Sequence, residues 1–128
     1  MNISELVKKT HQNAVEHGWW DEELSFGEQI ALMHSELSEA LEEFRNDLKL
    51  DEIYQSCQSD LSCPSEETKC QTCENFAPKP EGIPIELADC IIRIFDTCGR
   101  YGIDLEKAIQ IKMEYNKTRP YRHGGKKI

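Results

Sequence analysis

Two pairs of carboxylates, Glu36/Glu39 and Glu86/Asp89, each stand three residues apart in stretches with helical periodicity, and they constrain the chain more than any other feature. Residues i and i+3 share one helix face. Two such helices side by side would present four acids to one point, where they repel unless a cation holds them. The flanks sharpen this constraint. The first pair lies in Ala31–Leu41 among apolar side chains, and the second lies in Ile83–Ile92, the most hydrophobic run of the chain. An acid at the border of a core is costly without partners, so a bound ion or strong hydrogen bonds are expected at the second pair. Oxygen donors with no His or Cys among them suit Mg²⁺ or Mn²⁺, ions that serve above all to bind phosphate groups. Solvated helix charge is the ordinary reading of one such pair. The repetition argues for a site.

Periodicity predicts four helices and an all-α fold. Ile3, Leu6, Val7, Ala14 and Val15 define the first, which Gly18 ends. Ser25 with Glu28 three residues on forms a capping box, and Phe26, Ile30, Met33, Leu37, Leu41 and Phe44 then recur at helical steps to about Asp47. Pro84 suits a first helical position, opening a buried helix from Ile85 to Arg100 that ends near Gly102. Asp104 caps the last helix, whose apolar side is Leu105, Ala108, Ile109, Ile111 and Met113, and Arg119-Pro120 stops it. No strand alternation is evident. Cys90 and Cys98 within the third helix read as small buried apolar residues.

The 128 residues suit a single domain, 1–128, with residues 50–82 inserted between helices two and three. This insertion holds Cys57, Cys63, Cys70 and Cys73 among Ser, Gln, Glu, Thr and Pro, with little that could build a core. Three readings stay open. The four thiolates could wrap a structural Zn²⁺, since Cys70 and Cys73 have the usual two-residue gap; they could stay reduced; or they could pair as disulfides. No run approaches the length of a membrane span, and the start lacks a secretory pattern, so a cytoplasmic protein with no membrane partner is expected.

A net charge of −9 argues against a nucleic-acid polymer as partner. The charge is uneven, however: from Lys112 onward Lys117, Arg119, Arg122, Lys126 and Lys127 face a single acid, Glu114. The basic end reads either as a frayed tail or as a phosphate-gripping segment, with Arg119 and Arg122 as planar forks and Gly124-Gly125 allowing close approach. Trp19 and Trp20 are candidate stacking partners for a base, or they pack the first helix. His11, His17 and His34 read as surface or hydrogen-bonded core groups.

Three segments together resemble the all-α nucleoside triphosphate pyrophosphohydrolases of the MazG type: Glu36-Leu-Ser-Glu39-Ala-Leu-Glu-Glu-Phe-Arg, Ile85-Glu86-Leu-Ala-Asp89-Cys-Ile-Ile-Arg-Ile, and Lys112-Met-Glu-Tyr-Asn116-Lys-Thr-Arg119-Pro. The resemblance covers the chain outside the insertion. It departs from the family in the long gap between acid pairs and in Ser35, where many members carry another Glu. It implies that Glu36, Glu39, Glu86 and Asp89 hold Mg²⁺, that Lys112 and Asn116 contact phosphate and sugar or base, and that water attacks the α-phosphorus to release pyrophosphate. Tyr121 to Gly125 is similar to the ending of some members, which covers the phosphates. Glu39 is the candidate to act on the attacking water, with Glu42 or Glu43 as helper. A phosphoribosyl-ATP pyrophosphohydrolase or a deoxyuridine-type triphosphatase shares the acid pairs, and a non-catalytic metal-binding or dimerisation module would keep them. Short amphipathic helices leave apolar faces uncovered, and the resemblance also implies an oligomer, so a homodimer or dimer of dimers is expected.

Overall fold

The computed structural model describes residues 1–57 and 77–122. Four helices carry most of the fold: α1 (Ile3–Glu16), α2 (Phe26–Arg45), α3 (Ile83–Tyr101) and α4 (Leu105–Thr118). Their ends follow local chemistry. Asn2 caps α1 by accepting from the Glu5 amide, Ser25 and Glu28 close a reciprocal capping box on α2, and Asp104 accepts from the Lys107 amide at the start of α4. Gly18 follows α1 at φ +78°, a left-handed conformation that suits glycine. The third helix opens at Ile83, so Pro84 falls at its second residue rather than its first.

The all-α expectation needs one correction. Strands β1 (Tyr54–Cys57) and β2 (Pro78–Glu81) pair antiparallel, with Tyr54 opposite Glu81 and Cys57 opposite Pro78. Neither Tyr-Gln-Ser-Cys nor Pro-Lys-Pro-Glu alternates in hydropathy, so the sequence carries no period-two signal. Pro78 and Pro80 lack amide donors, and the ribbon accepts them because, among the described residues, one side of each strand has no strand beside it. The hairpin forms the ends of the expected insertion; Cys63, Cys70 and Cys73 lie outside the described residues, while Cys57 is half-buried at the end of β1.

The chain divides into two compact units. One comprises Met1–Glu23 and the chain from Ile94 on, so it holds α1, the end of α3 and α4. The other, Leu24–Arg93, holds α2, the hairpin and the start of α3. In the first, Asp96 Oδ1 accepts from Trp20 Nε1 at 2.8 Å and lies 2.8 Å from His11 Nδ1. Arg100 lies over the Trp20 ring, 4.9 Å from its centroid, and pairs with Glu23. Gly99 permits the approach of α1 to α3: a Cβ there would fall 2.5 Å from His11 Cβ.

In the second unit α2 reverses the simple amphipathic expectation. Its buried residues are Gln29, Glu36 and Ala40, whereas Leu37, Leu41 and Phe44 are 47, 48 and 57% exposed. The acid-bearing face is turned inward and much of the apolar stripe outward. Cys90 and Cys98 are buried, as their setting predicts. Among the described residues, no helix is long and apolar enough to cross a membrane.

Candidate functional site

Within the Leu24–Arg93 unit, α2 supplies Glu36 and Glu39 and the first turns of α3 supply Glu86 and Asp89. One carboxylate oxygen from each of Glu36, Glu86 and Asp89 lies within 4.8 Å of the other two. Glu39, at the exposed rim, shares hydrogen bonds with both Glu36 and Glu86. All four acids singled out by spacing are therefore brought together. The i, i+3 offset on each helix makes the two carboxylates of a pair point the same way.

The electrostatics differ from acid to acid. Burial, the Glu39 carboxylate and then the charges of Asp89 and Glu36 push the Glu86 carboxyl up to about 8. Two carboxylates can share a hydrogen bond only through a proton, and Glu86 is the one that retains it. Asp89 is also raised, by burial and by the charge of Glu36, against the opposing pull of Arg93 and Lys79. Burial is the largest influence on Glu36 and raises it, but Arg93, whose Nε donates to Glu36 Oε1 at 2.7 Å, together with Glu39 and Glu86 outweighs it, and Glu36 is held below the ordinary carboxylate range. Glu36 is thus an ionised anchor beside Glu86 and Asp89, whose carboxyls are raised for want of positive charge.

That charge deficit tests whether a cation fits. The donors are all hard carboxylate oxygens, the set that Mg²⁺ and Mn²⁺ prefer at about 2.1 Å per ligand. Glu36, Glu86 and Asp89 could hold such an ion after small side-chain rotations, with Glu39 as a further ligand, and a divalent charge would displace the proton on Glu86. Arg93 occupies one oxygen of Glu36 and leaves the other lone pairs available.

The remaining expected residues are distributed as follows. Glu43, also on α2, accepts from the Tyr54 hydroxyl at 2.9 Å, so its carboxylate is held by the hairpin. Trp20 is buried with its indole nitrogen committed to Asp96, whereas Trp19 is 72% exposed. Lys112 and Arg119 lie over the Tyr115 ring at 4.8 and 5.6 Å, with Asn116 exposed beside them on α4. Arg122 stands over Tyr121 at φ +52°; His123 and the two glycines after it lie outside the described residues. A cavity of about 450 Å³ in the other unit, lined by His11, Cys98, Gly99 and Leu105 among others, includes none of the expected substrate-binding residues.

Sequence reasoning missed Arg93 and Tyr54. Arg93 was within reach of inspection, because it follows Asp89 by four residues and Glu86 by seven and so continues their face of α3. Tyr54 carried no signal, since its approach to Glu43 depends on the hairpin. No family model, curated protein or solved structure matches this chain.

Proposed function

We propose that this chain is a Mg²⁺-dependent nucleoside triphosphate pyrophosphohydrolase of the MazG type, converting a nucleoside triphosphate to the monophosphate and pyrophosphate. The supporting observation is the convergence of Glu36, Glu86 and Asp89, with Glu39 at the rim, into one cluster of hard oxygen donors short of positive charge. Such a cluster is costly unless its purpose is to receive a cation.

A bound Mg²⁺ would draw charge from the phosphate oxygens and orient the leaving pyrophosphate. The protein's own part is positioning. Arg93 fixes the Glu36 carboxylate and keeps it ionised. Glu86, in its ionised form, would hold the cation together with Glu36 and Asp89. Water attacks the α-phosphorus, the bond from that phosphorus to the α–β bridging oxygen breaks, and the water proton passes to Glu39 or Glu43. The resemblance gives Lys112, Asn116, Arg119 and Arg122 to phosphate and sugar and exposed Trp19 to the base, whereas Trp20 is buried with its indole nitrogen on Asp96 and drops out of that role.

The exposed apolar stripe of α2, with half-exposed Leu87, Ile91 and Ile92 on α3, supports a homodimer or dimer of dimers. A mass measurement by light scattering tests that assembly; a monomer at micromolar concentration argues against it.

Pyrophosphate release across a panel of canonical and modified nucleoside triphosphates, with Mg²⁺ and with chelator, tests the reaction. Glu86→Gln should reduce turnover by about a thousandfold, given the several kcal/mol that metal-assisted charge stabilisation supplies. Silence of the folded, Mg²⁺-binding wild type across the panel would leave a non-catalytic metal-binding module as the better reading.

A further inference from the structure

Glu43 stands four residues after Glu39 and seven after Glu36, on the stripe of α2 that carries the acid cluster. Its carboxylate is held differently from theirs. The Tyr54 hydroxyl, on β1, donates to Glu43 Oε1 at 2.9 Å and lies 3.2 Å from Oε2. Tyr54 also sits opposite Glu81 in the strand register, and the Glu81 carboxylate reaches the same hydroxyl. Glu81 in turn lies 3.6 Å from Lys79 Nζ. Burial and the two carboxylates raise the phenol well above its ordinary value, so it remains a hydrogen-bond donor at any physiological pH.

The hairpin that presents Tyr54 is tied to the acid-bearing helices at both ends. On the α2 side the tie is the Tyr54–Glu43 hydrogen bond. On the α3 side it is Gly82, at φ +125°, where a Cβ would fall 2.2 Å from the Glu52 carbonyl oxygen. The Gly82 carbonyl accepts from the amides of Ile85 and Glu86, so the strand passes into the first turn bearing Glu86 without slack. A short ribbon with two prolines has little reason to carry a half-buried tyrosine aimed at a helix carboxylate unless that carboxylate must be held.

We propose that Tyr54 is a positioning residue for the hydrolysis: its hydroxyl fixes the Glu43 carboxylate so that Glu43 orients the attacking water and takes up its proton. This rests on the hydrolase reading above. A free glutamate samples several rotamers, and a hydrogen bond to one oxygen removes most of that freedom while leaving the other oxygen's lone pairs for water. The insertion's root is thereby part of the catalytic apparatus, acting through Glu43 rather than touching substrate.

The test compares wild type, Tyr54→Phe, Glu43→Gln and the double variant in steady-state pyrophosphate release, with Mn²⁺ affinity by electron paramagnetic resonance and circular dichroism on each. Tyr54→Phe should lower kcat by about tenfold with KM and Mn²⁺ affinity changed by less than about twofold, the pattern of a lost positioning contact. The double variant should be no slower than Glu43→Gln, because Tyr54 acts only through Glu43. Should Tyr54→Phe not fold, Glu43→Asp replaces it: the shorter side chain keeps the carboxylate but draws it away from the phenol, and should lose kcat to a similar extent. Wild-type kcat in the folded single variant, or losses that multiply in the double variant, would overturn the inference alone. A wild type that releases no pyrophosphate overturns the hydrolase reading and this role with it, and is told apart because all the proteins are then silent.

Discussion

Helix α3 carries two half-buried carboxylates in opposite circumstances. Asp96, in the unit built from both chain ends, has a single oxygen that receives the Trp20 indole and faces His11, each at 2.8 Å. Asp89, in the Leu24–Arg93 unit, faces other acids and is raised by burial and by Glu36. Both stand among apolar neighbours of one helix, so burial alone does not separate them. The number of donors does. A buried acid with matched donors rigidifies its surroundings. A cluster with more acids than donors leaves its desolvation cost unmet, and under the proposed function a divalent cation would offset it.

The sharpest way to break this contrast is to neutralise one acid in each unit. Glu86→Gln should remove nearly all Mg²⁺-dependent turnover while raising the thermal midpoint of the metal-free protein near neutral pH, because the folded state no longer has to protonate a carboxyl that is ionised when unfolded. Asp96→Asn should do the reverse: the neutral amide oxygen accepts from Trp20 and His11 more weakly than a carboxylate does, and unfolding by urea should show a loss of about 1–2 kcal/mol. Its Mg²⁺ affinity, read by calorimetry, should stay near that of the wild type. Equal destabilisation by both substitutions would mean that the acid cluster is as structural as Asp96.

Gly99→Ala probes the packing of the Asp96 unit at its narrowest point. With 2.5 Å between the new methyl and His11 Cβ, one helix must shift, and chemical denaturation should register about 1–3 kcal/mol of lost stability. An unchanged midpoint would show that α1 gives way freely.

The pH dependence should be smaller and should have opposite signs with and without metal. In the metal-free protein Glu86 keeps its proton up to about 8, against 4.5 for an unperturbed group. The folded state therefore binds more protons than the unfolded state between those values, and stability present at pH 4.5 is lost as pH rises toward 8. A thermal midpoint falling by a few degrees over that range is the expected result, discounted for the solvent that reaches the rim of the site. Saturating Mg²⁺ binds the deprotonated form and should turn the slope upward. Metal-free Glu86→Gln should flatten it; persistence of the slope in that variant would place its origin elsewhere.

Much of the fold and the two acid pairs of the candidate site were legible because they rest on local rules. The capping box at Ser25 and Glu28, the Asp104 cap and the left-handed Gly18 each involve residues within one turn of each other. The pairing of Glu36 with Glu39 and of Glu86 with Asp89 on shared faces follows from 3.6 residues per turn. Less was legible where partners are far apart in sequence. The side of α2 turned inward is not legible from hydropathy: Phe26, Ile30, Leu37, Leu41 and Phe44 form its conspicuous stripe, yet Glu36 and Ala40 are the buried residues. Hydropathy periodicity identifies a helix and its faces but does not say which face another element covers.

By itself, then, the sequence determined four helices, their caps and the direction in which each acid pair points, because backbone geometry relates neighbours a turn apart. Only the tertiary structure decided that the two pairs meet, that Arg93 neutralises Glu36, that Tyr54 reaches Glu43 through a hairpin with no strand periodicity, and that Asp96 is claimed by His11 and Trp20. Those contacts join residues separated by 11 to 85 positions. Their energies depend on burial and on donor supply, quantities that exist only once the chain has closed on itself.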